Sequence, residues 1–339
     1  YVLLPFGVLG LFGRLGRSAM LLALGVLLVV QSADNLIPLR PDFAVRELFL
    51  VLGYTVFQGC VAWGLLKWRS KPLFYTAIGL SLLPLLASKL LPTLWPHTVF
   101  GFAGISYITF RSLDVLFSIQ DGLIKELSLR EYAAFLLFVP ALSSGPIDRY
   151  RRFLKDWEKP RSRSEFLGDV DYAVRRLAQG FLYKFIIAAL IKSYWLDPWG
   201  TGRGVGALWM SMYAYTFYLF FAFAGYSAFA IGENFRNPYA ATSVTEFWKR
   251  WHISLSFWFR DHVYMRFLLA ASKAKWFKGK HTASFVGLFI TFGIMGVWHG
   301  LSRHYILYGF YHAALLGAYD WFARWNKERK VWADAAWQV

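Results

Sequence analysis

The chain has 339 residues, of which 57% are hydrophobic, 20% aromatic and only 17% charged, and its mean hydropathy is +0.39. Soluble domains carry about a quarter charged residues, so this composition excludes an ordinary soluble protein and predicts an integral membrane protein. The net charge is +17, and the Lys and Arg residues lie between apolar runs. This pattern favours cytoplasmic loops that face anionic headgroups or an acidic partner over nucleic-acid binding. The single cysteine, Cys60, excludes a disulfide framework and a cysteine metal cluster.

Apolar runs long enough to span or half-span a bilayer recur along the whole chain, since crossing the hydrocarbon needs about 20 residues. They lie near 1–12, 18–31, 43–66, 73–92, 98–120, 130–146, 172–196, 205–232, 284–300 and 303–323. Pro84, Pro140 and Gly145-Pro146 interrupt two of them, and broken helices need cover from protein or a water-filled cavity. We therefore expect an all-α polytopic membrane protein, a ring of transmembrane and re-entrant helices around a central pocket.

The domain prediction follows from the same pattern. Residues 1–323 form a single transmembrane domain and 324–339 a polar tail without a further span. No signal peptide is expected, because the chain starts at Tyr1 without a charged leading segment. Two basic loops, 148–166 and 271–281, mark the cytoplasmic side. No internal repeat is visible, which counts against an inverted-repeat transporter.

A central block over residues 233–269 mixes aromatic and charged side chains, among them Trp248, His252 and Arg260. One interpretation is an interfacial helix, with Trp and Arg at headgroup level. The other is the wall of a polar cavity, because Arg, Lys or Asp at a membrane-helix centre costs roughly 2.5–3.5 kcal/mol.

Three histidines lie in the apolar C-terminal part of the chain. His299 follows Trp298 deep in a span, where ionisable residues are functional candidates, although a lone histidine is more often structural. His299 and His304 would be about 140° apart on one helix, and His304 and His312 share a face without a carboxylate, so no metal site is expected. We expect His304 and His312 to satisfy hydrogen bonds between packed helices.

Other catalytic patterns are absent from the sequence. There is no GxSxG elbow, no P-loop and no GxGxxG, and the glycine run at 200–206 has no preceding strand. What remains is a buried imidazole acting as a general base on a hydroxyl that attacks an activated acyl group.

The stretch "VTEFWKRWHISLSFWFRDHVYMRF" (244–267) followed by "GVWHG" (296–300) resembles the membrane-bound O-acyltransferase family. "GISYITFRSLD" (104–114), "SSGPIDRYRRF" (143–153), "GFLYKF" (180–185) and "FAGYSAFA" (223–230) resemble the subgroup that transfers D-alanine in teichoic acid synthesis. Alginate acetyltransferases share the two histidine motifs but differ after "FRD". The resemblance covers roughly 100–320, and the last span of the family is absent.

This resemblance implies that His299 is the catalytic histidine and His252 the second histidine of the pocket, orienting donor or acceptor. It implies D-alanine arriving as a thioester on the phosphopantetheine of a small acidic carrier protein at the cytoplasmic side, with no cofactor bound by the chain. The acceptor hydroxyl would come from the outer face, and other envelope-assembly membrane proteins would be partners. The location implied is the bacterial cell membrane.

Further site residues are expected near the histidines. Arg260 and Asp261 should form an ion pair in the pocket wall, which Trp298 also lines. Met265, Leu268 and Leu269 recur at i, i+3 and i+4, which fits a docking face for the carrier as well as it fits ordinary core packing or lipid contact.

Three other functions stay open. The protein could O-acetylate an exported polysaccharide, relay protons as a channel or transporter, or act as a scaffold for envelope assembly. The absence of repeats counts against transport. A scaffold would tolerate substitution of both His252 and His299.

Overall fold

The computed structural model describes residues 4–12, 19–23, 25, 41–94, 102, 104–138, 141–142, 145–159, 162–228 and 233–329. Within these ranges the regular structure is helical and contains no strand, which confirms the predicted all-α polytopic membrane fold. The chain forms two compact units. The first comprises residues 1–88 and 99–233, and the second comprises 89–98 and 234–339.

Residues 19–23 and 25 of the first unit are helical, and ten further helices have defined bounds. They are α1 (Leu4–Leu11), α2 (Pro41–Lys67), α3 (Lys71–Leu94, whose last residues belong to the second unit), α4 (Ile105–Gln120), α5 (Leu129–Leu136), α6 (Tyr150–Glu158), α7 (Arg163–Phe181), α8 (Ala188–Ile191), α9 (Asp197–Gly200) and α10 (Val205–Ala228). Two π-helical stretches, Leu182–Ile187 and Lys192–Leu196, join α7 to α8 and α8 to α9.

Four helical segments within the described ranges are long and apolar enough to cross a membrane. They are Leu48–Lys67, Lys71–Leu91, Val205–Ser227 and His281–His299, and they match the runs predicted near 43–66, 73–92, 205–232 and 284–300. Phe49 and Tyr75 are 69% and 70% exposed, since lipid rather than water is the solvent of such faces. The predicted run at 18–31 lies mostly outside the described residues.

Proline interrupts these helices less than the sequence predicted. Pro84 lies inside α3, which continues to Leu94, so the predicted break there is wrong. Membrane helices tolerate proline because neighbouring groups and local adjustments satisfy the freed carbonyl. Gly145 and Pro146 do lie in non-helical chain, and Pro140 is outside the described residues.

A buried arginine organises the first unit. Arg111 is 1% exposed, and its guanidinium donates hydrogen bonds to the backbone carbonyls of Tyr107 (3.3 Å), Phe135 (2.7 Å) and Ala141 (3.3 Å). The last two carbonyls lie at or after the end of α5, where a helix leaves acceptors without partners. Because the planar guanidinium offers five donors, this one side chain of α4 supplies partners to both of these carbonyls.

The predicted basic loop at 148–166 is largely helical instead. It contains α6, which buries Tyr150, Phe153 and Trp157 on one face, and the start of α7. Ser162 and Glu165 form a reciprocal capping box at that start, which explains why a charged segment begins a helix here. In the second basic segment only 274–279 separates the flanking helices.

The second unit contains α11 (Val244–Arg250), α12 (Ile253–Phe259), α13 (Met265–Lys273), α14 (Lys280–His299) and α15 (Arg303–Arg329). A short 3₁₀ turn, Pro238–Ala240, precedes α11, and a π-turn, Arg260–Tyr264, joins α12 to α13. The central block is therefore a broken series of short helices and not one interfacial helix. Helix α15 continues past 323 to Arg329, so the first residues of the predicted polar tail are helical.

Two glycines allow α14 and α15 to approach closely. A Cβ at Gly296 would lie 2.5 Å from the carbonyl oxygen of Tyr305, and a Cβ at Gly309 would lie 2.3 Å from that of Phe292. Small residues at such crossings let helix backbones touch, a common means of helix association in membranes. This pairing aligns the end of α14, which carries His299, with the first turns of α15.

Gly309→Ala is expected to destabilise the protein by about 1–3 kcal/mol, because the facing Phe292 carbonyl is backbone and cannot move aside. The measurement is the thermal unfolding midpoint of purified protein in detergent. Gly79→Ala in α3 is the control, since a Cβ there meets nothing within 4 Å and alanine favours helix. Equal midpoints for the two variants would contradict the close-approach argument.

Candidate active site

The chain changes direction sharply at His252. Ser243 begins α11 by accepting a hydrogen bond from the backbone N–H of Glu246 (3.0 Å), and the helix ends at Arg250. His252 then adopts φ 43° and ψ 54°, the left-handed region, before α12 begins at Ile253. A non-glycine residue held there is uncommon and costs about 1–2 kcal/mol, and such strain clusters at functional sites.

The His252 side chain is enclosed. The residue is 6% exposed, and the Phe235 ring lies with its centroid 6.0 Å from the imidazole. Burial lowers the pKa of the His252 imidazole to about 3, and the positive charge that His299 would carry contributes to the lowering. His252 is therefore neutral at physiological pH and acts as a hydrogen-bonding group and not as a cation.

His299 is the last residue of α14. Its side chain keeps exposed surface there, although the surrounding protein is dense enough to desolvate the imidazole in part. Its aromatic neighbours are Trp298, Tyr305 and Tyr308, at centroid distances of 4.5, 5.9 and 6.1 Å. The fold brings His299 close enough to His252 for their charges to interact, although 47 positions separate them in the sequence.

The other two histidines do not make the hydrogen bonds between helices that the sequence predicted. His304 lies on α15, not on the helix of His299, and its Nε2 is 3.3 Å from the hydroxyl of neighbouring Ser302. His312 packs by ring contacts with Trp248 (5.0 Å), Phe292 (6.3 Å) and Tyr308 (4.5 Å). Among the described residues, neither His312 Nδ1 nor Trp248 Nε1 has a hydrogen-bond partner.

Tyr308 is the site residue that sequence reasoning missed. Its ring stands edge-on to His299 and also contacts His312, so it links the helix end to the Trp248 side of the unit. A tyrosine in an apolar helix gives no sequence signal of this kind. The available hint was its position four residues after His304 and four before His312, since residues at i and i+4 share a helix face.

A cavity of about 300 Å³ lies within this unit. It is lined by Thr245, Trp248, Lys249, Ser256, Phe257, Phe259, Arg260, Tyr264, Ser284, Leu288, Thr291, Phe292, Met295, Leu316 and Asp320. Arg260 lines this cavity and pairs with Asp261 at 2.8 Å, whereas His252, His299, Asp261 and Trp298 are not among the lining residues. The pair is half exposed, so it contributes little stability.

The predicted docking residues lie at the start of α13. Met265 and Leu269 are 43% and 67% exposed, and Leu268 is half-buried. The two exposed side chains share one helix face because they are four residues apart. Within the described ranges, no three His, Cys, Asp or Glu side chains come together as metal ligands would.

Comparison with known proteins places this geometry in context. Residues 99–331 match the model of the membrane-bound O-acyltransferase family. The chain is 40% identical over 99% of its length to the teichoic acid D-alanyltransferase of Bacillus subtilis, covering 89% of that protein. It is 39% identical to the enzyme of that name from Lacticaseibacillus rhamnosus, over 83% of the chain and 76% of the relative. A probable alginate O-acetylase of Pseudomonas syringae is 34% identical over 63% of the chain and 42% of its own length.

Replacing His252 tests the left-handed backbone. His252→Gly and His252→Ala both remove the imidazole, but only glycine adopts φ 43° without strain. We expect the glycine variant to be more stable than the alanine variant by about 1 kcal/mol, the reverse of their order in ordinary helix or strand. The two thermal midpoints in detergent are compared, and a more stable alanine variant would show that the left-handed conformation is not held.

Proposed function

The chain belongs to the membrane-bound O-acyltransferase family, and we propose that it transfers D-alanine from a carrier-protein thioester to a hydroxyl of teichoic or lipoteichoic acid, with His299 as general base. It is an acyltransferase of the bacterial cell membrane and crosses that membrane several times. The observation that carries the proposal is that His252 and His299 lie in one unit, near enough for their charges to interact, in a chain 40% identical to a D-alanyltransferase.

The two imidazoles are suited to different tasks. His299 is exposed at a helix end, where an acceptor hydroxyl can reach it. His252 is buried and neutral, so it can donate or accept a hydrogen bond and orient the acyl donor or acceptor without adding charge. A general base needs reach to the proton it removes, and a second fixed group supplies orientation.

The reaction needs no covalent enzyme intermediate. His299 takes the proton of the acceptor hydroxyl while the hydroxyl oxygen attacks the thioester carbonyl carbon. A carbon–oxygen bond forms, and the resulting tetrahedral intermediate collapses by breaking the carbon–sulfur bond. The leaving thiolate takes the proton from the imidazolium, which yields a D-alanyl ester, a free carrier thiol and the original imidazole.

The donor would arrive on a small acidic carrier. The net charge of +17 would steer an acidic protein to the basic segments of the chain. Met265 and Leu269 offer an exposed apolar contact on the same short helix as the basic Lys273. The chain itself would bind no cofactor, because the phosphopantetheine belongs to the carrier.

O-acetylation of an exported polysaccharide is the second candidate. The 34% identity to a probable alginate O-acetylase supports it, and the same base chemistry would serve an acetyl donor. The match covers 63% of the chain, against 99% for the Bacillus subtilis D-alanyltransferase, which favours the first candidate.

The first functional test uses purified protein in nanodiscs and carrier protein loaded with radiolabelled D-alanine. Loss of the thioester label is followed for wild type, His299→Ala and His304→Ala. We expect His299→Ala to lower the rate about 100- to 10,000-fold, the usual contribution of a general base. His304→Ala should stay near wild type, because the hydrogen bond and ring contact of this exposed histidine within the described part of the chain are with Ser302 and the neighbouring Tyr305.

The outcomes separate the candidates. Wild-type discharge that survives in His299→Ala would refute the role of His299. Consumption of acetyl donors without discharge of the D-alanyl carrier would favour the polysaccharide acetylase.

The docking face is tested by introducing a negative or a positive charge at the same position. Leu269→Glu is expected to raise the KM for the acidic carrier at least tenfold, whereas Leu269→Lys should raise it far less, because only glutamate repels an acidic partner. Steady-state discharge at several carrier concentrations gives both constants. Equal KM values for the two variants would assign Leu269 to packing or lipid contact.

A further inference from the structure

Asn234, which lies 18 residues before His252, the residue that precedes α12, caps the N-terminus of that helix. The first N–H groups of a helix have no partner within it, and the residue before the helix usually accepts one of them. At α12 that residue is His252, whose side chain makes no such bond. Asn234 accepts instead, from the N–H of Ile253 through its backbone carbonyl (2.9 Å) and from the N–H of Ser254 through Oδ1 (3.0 Å).

The same amide oxygen also accepts a hydrogen bond from the Ser254 hydroxyl at 2.8 Å. Asn234 is 1% exposed, so water does not compete for these bonds. Buried donors that lose their acceptor destabilise the fold, which makes this contact a strong constraint on where α12 begins.

Residues 234–237 form a strap that is fastened to the break on both sides of His252. The N–H of Arg236 donates to the carbonyl of Arg250 (3.0 Å), and the Arg250 guanidinium donates to the carbonyl of Asn237 (3.3 Å). The Phe235 ring packs edge-on against Trp251, with centroids 5.0 Å apart, and lies beside the His252 imidazole.

We propose that Asn234 is the positioning residue of His252: by capping α12 from the strap, it fixes the left-handed backbone of His252 and thereby the position of the imidazole. This inference deepens the proposed function and rests on it, since it needs His252 to orient donor or acceptor. It adds a residue outside both histidine motifs.

The chain offers a conservative variant that keeps the cap. Asn234 Nδ2 has no hydrogen-bond partner among the described residues, so Asn234→Asp loses none of the bonds described above. An aspartate adds a negative charge near His252, which favours the protonated imidazole. If His252 must be neutral to work, the rate of this variant will rise to its plateau at a higher pH than that of wild type.

The experiment measures kcat, KM and the pH profile of carrier discharge in nanodiscs for wild type, Asn234→Ala, Asn234→Asp and Asn326→Ala. Asn326 is a matched control, because it is a buried asparagine of the same unit, 5% exposed, on α15. We expect Asn234→Ala to lower kcat at least tenfold with KM within twofold of wild type. Asn234→Asp should recover most of kcat with its pH profile displaced upward, and Asn326→Ala should keep wild-type kcat per folded protein.

A double-mutant cycle with His252→Gly shows whether Asn234 acts through His252. If it does, Asn234→Ala lowers kcat no further once the imidazole is gone. An equal further loss in that background would overturn the proposal, as would an Asn234→Asp kcat no higher than that of Asn234→Ala.

A different outcome shows that the proposed function is wrong while the role of Asn234 can still be tested. If wild type leaves the D-alanyl carrier intact but consumes an acetyl donor, the donor assignment is wrong. The same variants and cycle are then measured with the acetyl donor, and the coupling of Asn234 to His252 is decided by the same criteria.

Discussion

The candidate site depends on how the chain satisfies the backbone at the start of α12. A helix that begins inside a protein leaves N–H groups that cost free energy unless an acceptor is supplied. Here the acceptors come from Asn234, and the turn is completed by His252 in a left-handed conformation. This arrangement lets two short helices meet at an angle, so that Trp248 faces the cavity while His252 is buried at the break.

A second constraint sets the position of His299. Gly296 and Gly309 allow the backbones of α14 and α15 to touch, and His299 ends the first of these helices. His312 and Tyr308 on α15 then fill the space toward Trp248 with ring contacts. The two histidines of the site are therefore held by different means, one by a hydrogen-bonded strap and the other by close helix packing.

This difference matches the chemistry of acyl transfer. The proposed base, His299, needs access to its substrates, and it keeps exposed surface at the end of α14. An orienting group benefits from being fixed and uncharged, and burial supplies both properties to His252. The exposed apolar residues of α13 follow in the same broken series of helices, which would place carrier contact and chemistry on one continuous stretch of chain.

The sequence by itself determined the class of fold, because lipid as a solvent demands long apolar helices and few charges. It also pointed to His252 and His299 as candidate site residues, because their flanking motifs resemble those of the membrane-bound O-acyltransferase family, and their catalytic roles stay predictions. It could not show the exposure of His299, the role of Tyr308 or the cap from Asn234. Those depend on where helices end and which backbones touch. Pro84 inside α3 and the helical basic segment at 148–166 mark the same limit, because neighbouring groups decide whether a local break or cap forms. Residue types thus indicated that the protein lies in lipid and which chemistry to expect. Only tertiary contacts decided which polar groups have hydrogen-bond partners and which side chains remain accessible.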